Sequence, residues 1–149
     1  MEISLAALRY VLVAIKELAL ARISHATRPS SAILRELQSA PLRPQLNLWD
    51  DKKNGELQRI AWAISAAASR VPWRSDCLLQ VMAANRWLRR IGIHPQFNLG
   101  VSKDRFGQFK AHAWLTCNDV KIPKAPIDEY AIILRSGDDE PSATARKWL

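Results

Sequence analysis

A cysteine at the start of a predicted helix and a histidine on a predicted strand are the residues of this chain best suited to chemistry. Cys77 opens an apolar-periodic stretch, and His112 follows it by thirty-five residues. At a helix N-terminus, unpaired backbone N–H groups and the helix dipole favour an anion, which raises the fraction of nucleophilic thiolate. A histidine on a nearby strand would act as general base. The pair indicates a cysteine nucleophile that attacks an acyl group, above all a peptide bond.

The sequence around Cys77 predicts where its helix begins and ends. Pro72 cannot continue a helix, and both Ser75 and Asp76 are residue types that cap helix N-termini. The helix is therefore predicted to run from Cys77 to about Arg90, with Gly92 closing it.

Apolar residues at helical spacing predict three further helices before this one. Their predicted ranges are Ser4–Ser24, Ser31–Gln38 with Ser30 or Ser31 as its cap, and Glu56–Ser69. The segment 41–54, rich in Pro, Asn and Asp, is predicted to be an irregular connection.

Beyond Gly92 the apolar period changes from 3.6 to 2, which predicts strands. The predicted strands are His94–Val101, Ala111–Cys117, Val120–Ile122 after an Asn118–Asp119 turn, and Ala131–Leu134. Helices followed by an antiparallel meander predict an α+β fold. We expect a single domain over residues 1–149, with N-terminal helices and a connection (1–55), a core (56–135) and a loose tail (136–149).

The chain is strongly basic, with a formal net charge of +8 and a pI of about 10.0. Its cations are scattered; Arg86, Arg89 and Arg90 form the one compact set and are predicted to share a solvated helix flank. Zinc-finger spacing and RNA-binding aromatic motifs are absent from the sequence. We therefore interpret the positive charge first as solvated surface, second as a surface for an acidic peptide or a partner protein, and third as a nucleic-acid interface. We expect no nucleic-acid partner.

Two cysteines do not make a disulfide framework, so a reducing cytoplasm is the expected compartment. Four charged residues interrupt the apolar residues 5–23, which predicts a packing helix and no membrane span. Cys117 alternates with core positions on the side opposite His112 and is expected to be buried. Because Cys77, Cys117, His94 and His112 lack paired-ligand spacing, no metal or other cofactor is expected.

Several short motifs resemble one known family. They are Ser75-Asp76-Cys77-Leu78, Trp87-Leu88-Arg89-Arg90-Ile91-Gly92, Leu99-Gly100-Val101 and His112-Ala113-Trp114-Leu115. In this order and spacing they resemble the lasso-peptide biosynthesis B2 proteins, which are transglutaminase-like cysteine proteases, over about Val71–Tyr130. The resemblance implies a papain/transglutaminase-like core, with Cys77 as nucleophile and His112 as base, that removes the leader from a lasso-peptide precursor.

The family's histidine is oriented by an acid about a dozen residues further on, and here Lys124 stands at that position. A lysine beside the imidazole would lower its pKa by like-charge repulsion. Three interpretations remain open. Asp119 or Asp128 supplies the carboxylate; a Cys-His dyad works without an acid; or the chain has lost activity and only binds the precursor.

The resemblance also implies partners: the precursor peptide, a separate leader-binding (RiPP recognition) protein, and a lasso cyclase that uses ATP. Trp73 and Trp114 are candidates for substrate contact. Trp114 lies two residues from His112 on the same strand face, where its indole would shield the imidazole from water.

Overall fold

The computed structural model describes residues 4–40 and 50–137. Within these ranges, helices come first and strands follow, which confirms the predicted α+β class. The elements are α1 (Leu5–Thr27), α2 (Ser30–Ser39), α3 (Asp51–Ala68), α4 (Cys77–Arg90), β1 (Gln96–Lys103), β2 (Phe109–Cys117), β3 (Val120–Ile122) and β4 (Ala131–Arg135).

Helix α4 begins and ends where the sequence predicts. Of the two candidate caps, Asp76 is the one used: its Oδ1 accepts a hydrogen bond from the backbone N–H of Leu79 at 3.2 Å. At the other end Gly92 has φ of +85°, a left-handed conformation that glycine adopts without steric cost. The aspartate cap thus fixes Cys77 as the first helical residue, and Gly92 ends the helix after Arg90.

Helix α3 begins five residues earlier than predicted, at Asp51. The side chain of Asp50 caps it by accepting a hydrogen bond from the backbone N–H of Lys53 at 2.8 Å. The prediction of an irregular connection is therefore wrong for residues 51–54, because a capping aspartate there starts a helix. The rest of that predicted connection, residues 41–49, lies outside the described residues.

The four strands are antiparallel in the order β3-β2-β1-β4. The hairpin between β2 and β3 turns at Asn118 and Asp119, whose φ angles of 43° and 66° are those of a two-residue type I′ turn. The predicted meander holds for three strands only, because β4 pairs with β1 instead of β3. Residues 123–130, the crossover segment, must therefore pass from one edge of the sheet to the other.

The core lies between one face of the sheet and the helices, with α4 packed along β2 and α1 packed on α3 and α4. Alternate residues of β2 point into it: Ala113, Leu115 and Cys117 are all buried. The predicted burial of Cys117 is confirmed. His112 and Trp114 belong to the opposite face of the sheet.

A buried carboxylate ties α1 to α4. Glu17 is fully buried, and its oxygens lie 2.6 Å from Arg90 Nη1 and 3.4 Å from Arg86 Nε. Arg89 instead donates to Asn85 Oδ1 at 3.0 Å. Arg86 and Arg90 are exposed, as predicted for a solvated arginine flank, and in addition their guanidinium groups pair with this buried carboxylate. Over the described residues, α1 included, no helix has the length and apolarity needed to cross a membrane.

Ser136 extends the sheet past the predicted start of the tail. It is buried, its Oγ accepts a hydrogen bond from the backbone N–H of Phe97, and its own N–H donates to the Phe97 carbonyl, both at 2.9 Å. These reciprocal bonds attach Ser136 to β1. Residues 138–149 of the predicted tail lie outside the described residues.

Candidate active site

Cys77 is a free, half-buried thiol at the first residue of α4, where it packs against the edge of the core. The neighbouring Asp76 carboxylate is engaged by the Leu79 N–H. The local geometry thus supplies a free, half-buried thiol at the N-terminus of α4, next to a capping carboxylate.

His112 is half-buried near the start of β2, and its Nε2 is buried without a hydrogen-bond partner among the described residues. Burial lowers the pKa of His112 from its ordinary value of 6.5. The imidazole is therefore neutral near pH 7, which is the form that accepts a proton.

Two aromatic rings enclose the imidazole. Trp114 stacks on it, with ring centroids 5.7 Å apart and planes inclined by 20°, and Tyr130 contacts it with centroids 5.2 Å apart. Gly100 lies opposite His112 on β1. A Cβ at Gly100 would lie 2.9 Å from Tyr130 Cβ and 3.0 Å from the Trp114 ring, so these rings can close over the strand only because this residue is glycine.

Neither Tyr130 nor Gly100 is predicted from the sequence to be part of this site. A glycine inside a strand, paired with the candidate base, signals close approach of another group and could have drawn attention to Gly100. Tyr130 carries no such local signal, because only the crossover segment brings it to His112.

The topology brings Cys77 and His112 to the same end of the α4–β2 pair. Five residues, 91–95, connect α4 to β1, so α4 returns roughly antiparallel to β1 and hence parallel to β2. A helix of 14 residues is about 20 Å long, which matches about six strand residues. The Cys77 end of α4 therefore lies toward the half of β2 that carries His112.

The two side chains do not form a hydrogen bond with each other among the described residues; His112 points to the sheet face that α4 does not cover. Strand β3 pairs only with Leu115–Cys117, so β3 leaves β2 open beside His112 on that side. Catalytic hydrogen bonds are often long before substrate binds.

The structure does not bring Asp119 to His112. Asp119 is exposed in the turn beyond Cys117, and the five residue steps along β2 from His112 to Cys117 alone span about 17 Å. Asp128 is exposed in the crossover segment, two residues before Tyr130, and is therefore the nearer candidate along the chain. Neither carboxylate makes a hydrogen bond to His112 within the described residues.

Lys124 is exposed in the crossover segment. It lines a groove of about 970 Å³ between α3 and the β2–β3 hairpin, together with Trp62, Asp119 and Lys121. The residue at the family's acid position thus faces a cavity.

The two tryptophans predicted to contact substrate differ in exposure. Trp73 is half-buried against the core, and its Nε1 has no hydrogen-bond partner among the described residues. Trp114 is only 2% exposed, so its ring has no surface to offer a substrate. Trp114 instead packs against the His112 imidazole, where it excludes water from the ring.

No group of three or more His, Cys, Asp or Glu side chains in the described part of the chain is arranged to hold a metal ion.

Comparison with curated proteins and with solved structures gives no match. Comparison with protein families gives one: residues 10–135 match the Transglut_core3 family, described as transglutaminase-like superfamily. The matched range runs from α1 to the last residue of β4 and contains both Cys77 and His112. The chain therefore belongs to the transglutaminase-like superfamily.

Proposed function

We propose that this protein is a cysteine peptidase that removes the leader from a lasso-peptide precursor. Cys77 is the nucleophile and His112 the general base in this proposal. Superfamily membership supports the coarser part, because the superfamily includes cysteine peptidases and transglutaminases. The motifs shared with the lasso-peptide B2 proteins support the finer part.

The observation that carries the proposal is the placement of a half-buried thiol at the start of α4, toward the end of β2 that carries a neutral histidine. A thiolate is intrinsically nucleophilic and needs less help from a base than a serine hydroxyl does. A histidine whose pKa is lowered by burial is ready to take a proton at neutral pH.

In the proposed reaction, the imidazole of His112 takes the proton of the Cys77 thiol as Sγ attacks the carbonyl carbon of the scissile peptide bond. The C–N bond then breaks, the imidazolium returns its proton to the leaving amine, and a thioester remains on Cys77. Water, deprotonated by His112, attacks the thioester carbonyl; the C–S bond breaks, the leader leaves with a C-terminal carboxyl group, and the imidazolium returns its proton to Sγ. The Trp114 and Tyr130 rings restrict water around the imidazole.

The imidazolium formed during this cycle needs stabilisation that an acid normally gives. Asp128 is the better placed of the two candidate carboxylates, since it shares the crossover segment with Tyr130. In a dyad without an acid, the same steps run more slowly.

The partners follow from the same proposal. The precursor peptide is the substrate, a separate leader-binding protein delivers it, and a lasso cyclase takes the freed amine. All three would meet the protein in the cytoplasm. None of these steps requires a cofactor on this chain.

An alternative function is a precursor-binding or scaffold module of the same fold with impaired catalysis. Two observations favour it: Lys124 occupies the family's acid position, and no hydrogen bond joins Cys77 to His112 among the described residues. Such a module would keep the fold and bind the precursor without cutting it.

The test is cleavage of the precursor with its leader-binding partner present. Wild type and Cys117→Ala, which removes a buried core cysteine, should cleave, and Cys77→Ala should not. Cleavage by Lys124→Asp but not by wild type would establish the impaired module. If neither wild type nor any variant cleaves the precursor while the leader-binding partner is shown to bind it, the function is that of the binding module.

A second arm concerns the acid. If Asp128 orients His112, Asp128→Asn lowers the cleavage rate, while Glu129→Gln, which changes the exposed neighbouring carboxylate of the crossover segment, leaves it unchanged. An Asp128→Asn variant that cleaves as fast as wild type would mean that Cys77 and His112 act as a dyad without an acid.

A further inference from the structure

The groove between α3 and the β2–β3 hairpin is built from two walls of different chemistry. One wall is a single face of α3, where Gln58, Trp62 and Ser65 follow helical spacing. The other wall carries Lys121 on β3 and Lys124 in the crossover segment. At about 970 Å³ the groove is as large as the cavities that bind sizeable ligands.

The charges in this groove are unbalanced. Lys121 and Lys124 are exposed, and neither forms an ion pair within the described residues. Among the described residues that line the groove, Asp119 is the one carboxylate, so two of these cations face one anion. An incoming carboxylate would meet net positive charge.

The opposite wall offers an apolar anchor. Trp62 is 50% exposed, a large aromatic surface to leave in water. Exposed aromatic rings in concave sites are common anchors for binding partners. A ligand that combines a carboxylate with an apolar side chain therefore fits both walls.

The groove is also connected to the candidate base. Lys124 precedes Tyr130 by six residues in the crossover segment, so at most about 20 Å of chain separates the groove from the ring that packs on His112. A peptide held in the groove needs about six extended residues to cover that length toward the His112 ring.

We propose that this groove is a peptide subsite that binds an acidic residue of the substrate through Lys121 and Lys124, with an adjacent apolar side chain on Trp62. This inference rests on the proposed function for the identity of the peptide. It gives Lys124 a role in recognition at the position where the family has an acid.

The test is peptide binding in the Cys77→Ala background, which removes any dependence on cleavage. The probes are a fluorescein-labelled peptide of glycine, leucine and glutamate, and its twin with every glutamate replaced by glutamine. Fluorescence anisotropy gives Kd for each. The acidic probe should bind more tightly, and each of Lys121→Gln and Lys124→Gln should weaken it by about 2- to 5-fold.

The matched control is Lys52→Gln/Lys53→Gln. This pair lies on the exposed first turn of α3, outside the groove, and its loss changes net charge as much as Lys121→Gln/Lys124→Gln does. The groove variant should lose the preference for the acidic probe while the control keeps it. Equal loss in both, or no preference in the parent protein, would overturn the proposal.

Trp62→Ala completes the design. Because Trp62 is half exposed, its removal leaves the core intact. The variant should weaken both probes by a similar factor, and unchanged binding would rule out the aromatic wall. Loss of peptidase activity in other experiments leaves these binding results unaffected, so the two proposals fail separately.

Discussion

The Tyr130 ring packs against the His112 imidazole with ring centroids 5.2 Å apart and planes inclined by 37°. Tyr130 ends the crossover segment, whereas His112 lies on the inner strand β2. The segment that carries the chain from β3 to β4 therefore also covers the candidate base. Tyr130 is one of the two rings that pack on the imidazole, and burial lowers the pKa of His112.

The first prediction concerns titration of that imidazole. NMR should give His112 a pKa below 6.5, assigned among the three histidines by His112→Ala. Tyr130→Ala should raise the pKa of His112 toward 6.5 because it readmits water, and Phe106→Ala, which changes an exposed ring, should leave it unchanged. A wild-type pKa of 6.5 or above would contradict burial as the dominant effect.

The same shift predicts how stability depends on pH. Below pH 6.5 the unfolded chain binds a proton at His112 more readily than the folded protein, so the free energy of unfolding falls as pH falls through this value. Urea unfolding at pH 7 and pH 5.5 measures the change. His112→Gln should reduce this pH dependence; an unchanged dependence would assign it to other groups.

A second prediction uses two glycines in opposite environments. Gly100→Ala should lower the free energy of unfolding by about 1–3 kcal/mol, because the new methyl group collides with Tyr130 and Trp114. Gly55→Ala should raise it by about 0.5–1 kcal/mol, because its site in α3 is open and alanine favours the helix. Urea denaturation of both variants checks the signs, and a neutral Gly100→Ala would mean that the rings move apart easily.

A third prediction concerns the cap of α4. Asp76→Asn keeps a capping side chain and removes the negative charge beside the thiol, so Cys77 should react faster with iodoacetamide near neutral pH. Asp76→Ala should in addition cost about 1 kcal/mol of stability through the lost cap. Mass spectrometry separates alkylation of Cys77 from that of the buried Cys117. Slower alkylation of Cys77 in Asp76→Asn than in wild type would mean that the Asp76 carboxylate activates the thiol.

A fourth prediction concerns the buried carboxylate of α1. Arg86→Gln/Arg90→Gln leaves the buried Glu17 with Lys16, 3.4 Å away, as its one cationic partner among the described residues, and should cost toward the lower end of about 3–5 kcal/mol. Adding Glu17→Gln should recover part of that loss, since no buried charge remains.

The control for this cycle is Arg35→Gln/Arg59→Gln, which changes two exposed arginines and should stay within about 0.5 kcal/mol per site. A triple variant no more stable than the arginine double variant would show that packing of the arginine stems, not charge, holds α1 to α4.

The sequence predicted those parts of the fold that depend on short-range chemistry. The start of α4 at Cys77 follows from a capping aspartate, and the hairpin at Asn118–Asp119 from residues that tolerate positive φ. The early start of α3 at Asp51 was missed, because proline and asparagine nearby resembled a loop and concealed the cap at Asp50.

The parts that depend on distant contacts were not predictable in this way. The pairing of β4 with β1 arises from the crossover segment, and the contact of Tyr130 with His112 follows from the same crossing. Glu17 looked like a charge that interrupts an apolar helix; only the packing of α1 on α4 makes it the buried partner of Arg90.

The ion pairs of Glu17 determine which fragment of this protein can fold on its own. A truncation that keeps residues 56–135 retains Cys77 and His112 but loses the carboxylate that neutralises Arg86 and Arg90. It also strips the apolar cover of α1 from α3 and α4. The smallest autonomous unit should therefore be longer than the elements that carry Cys77 and His112, and fragments for expression or crystallisation should begin ahead of α1.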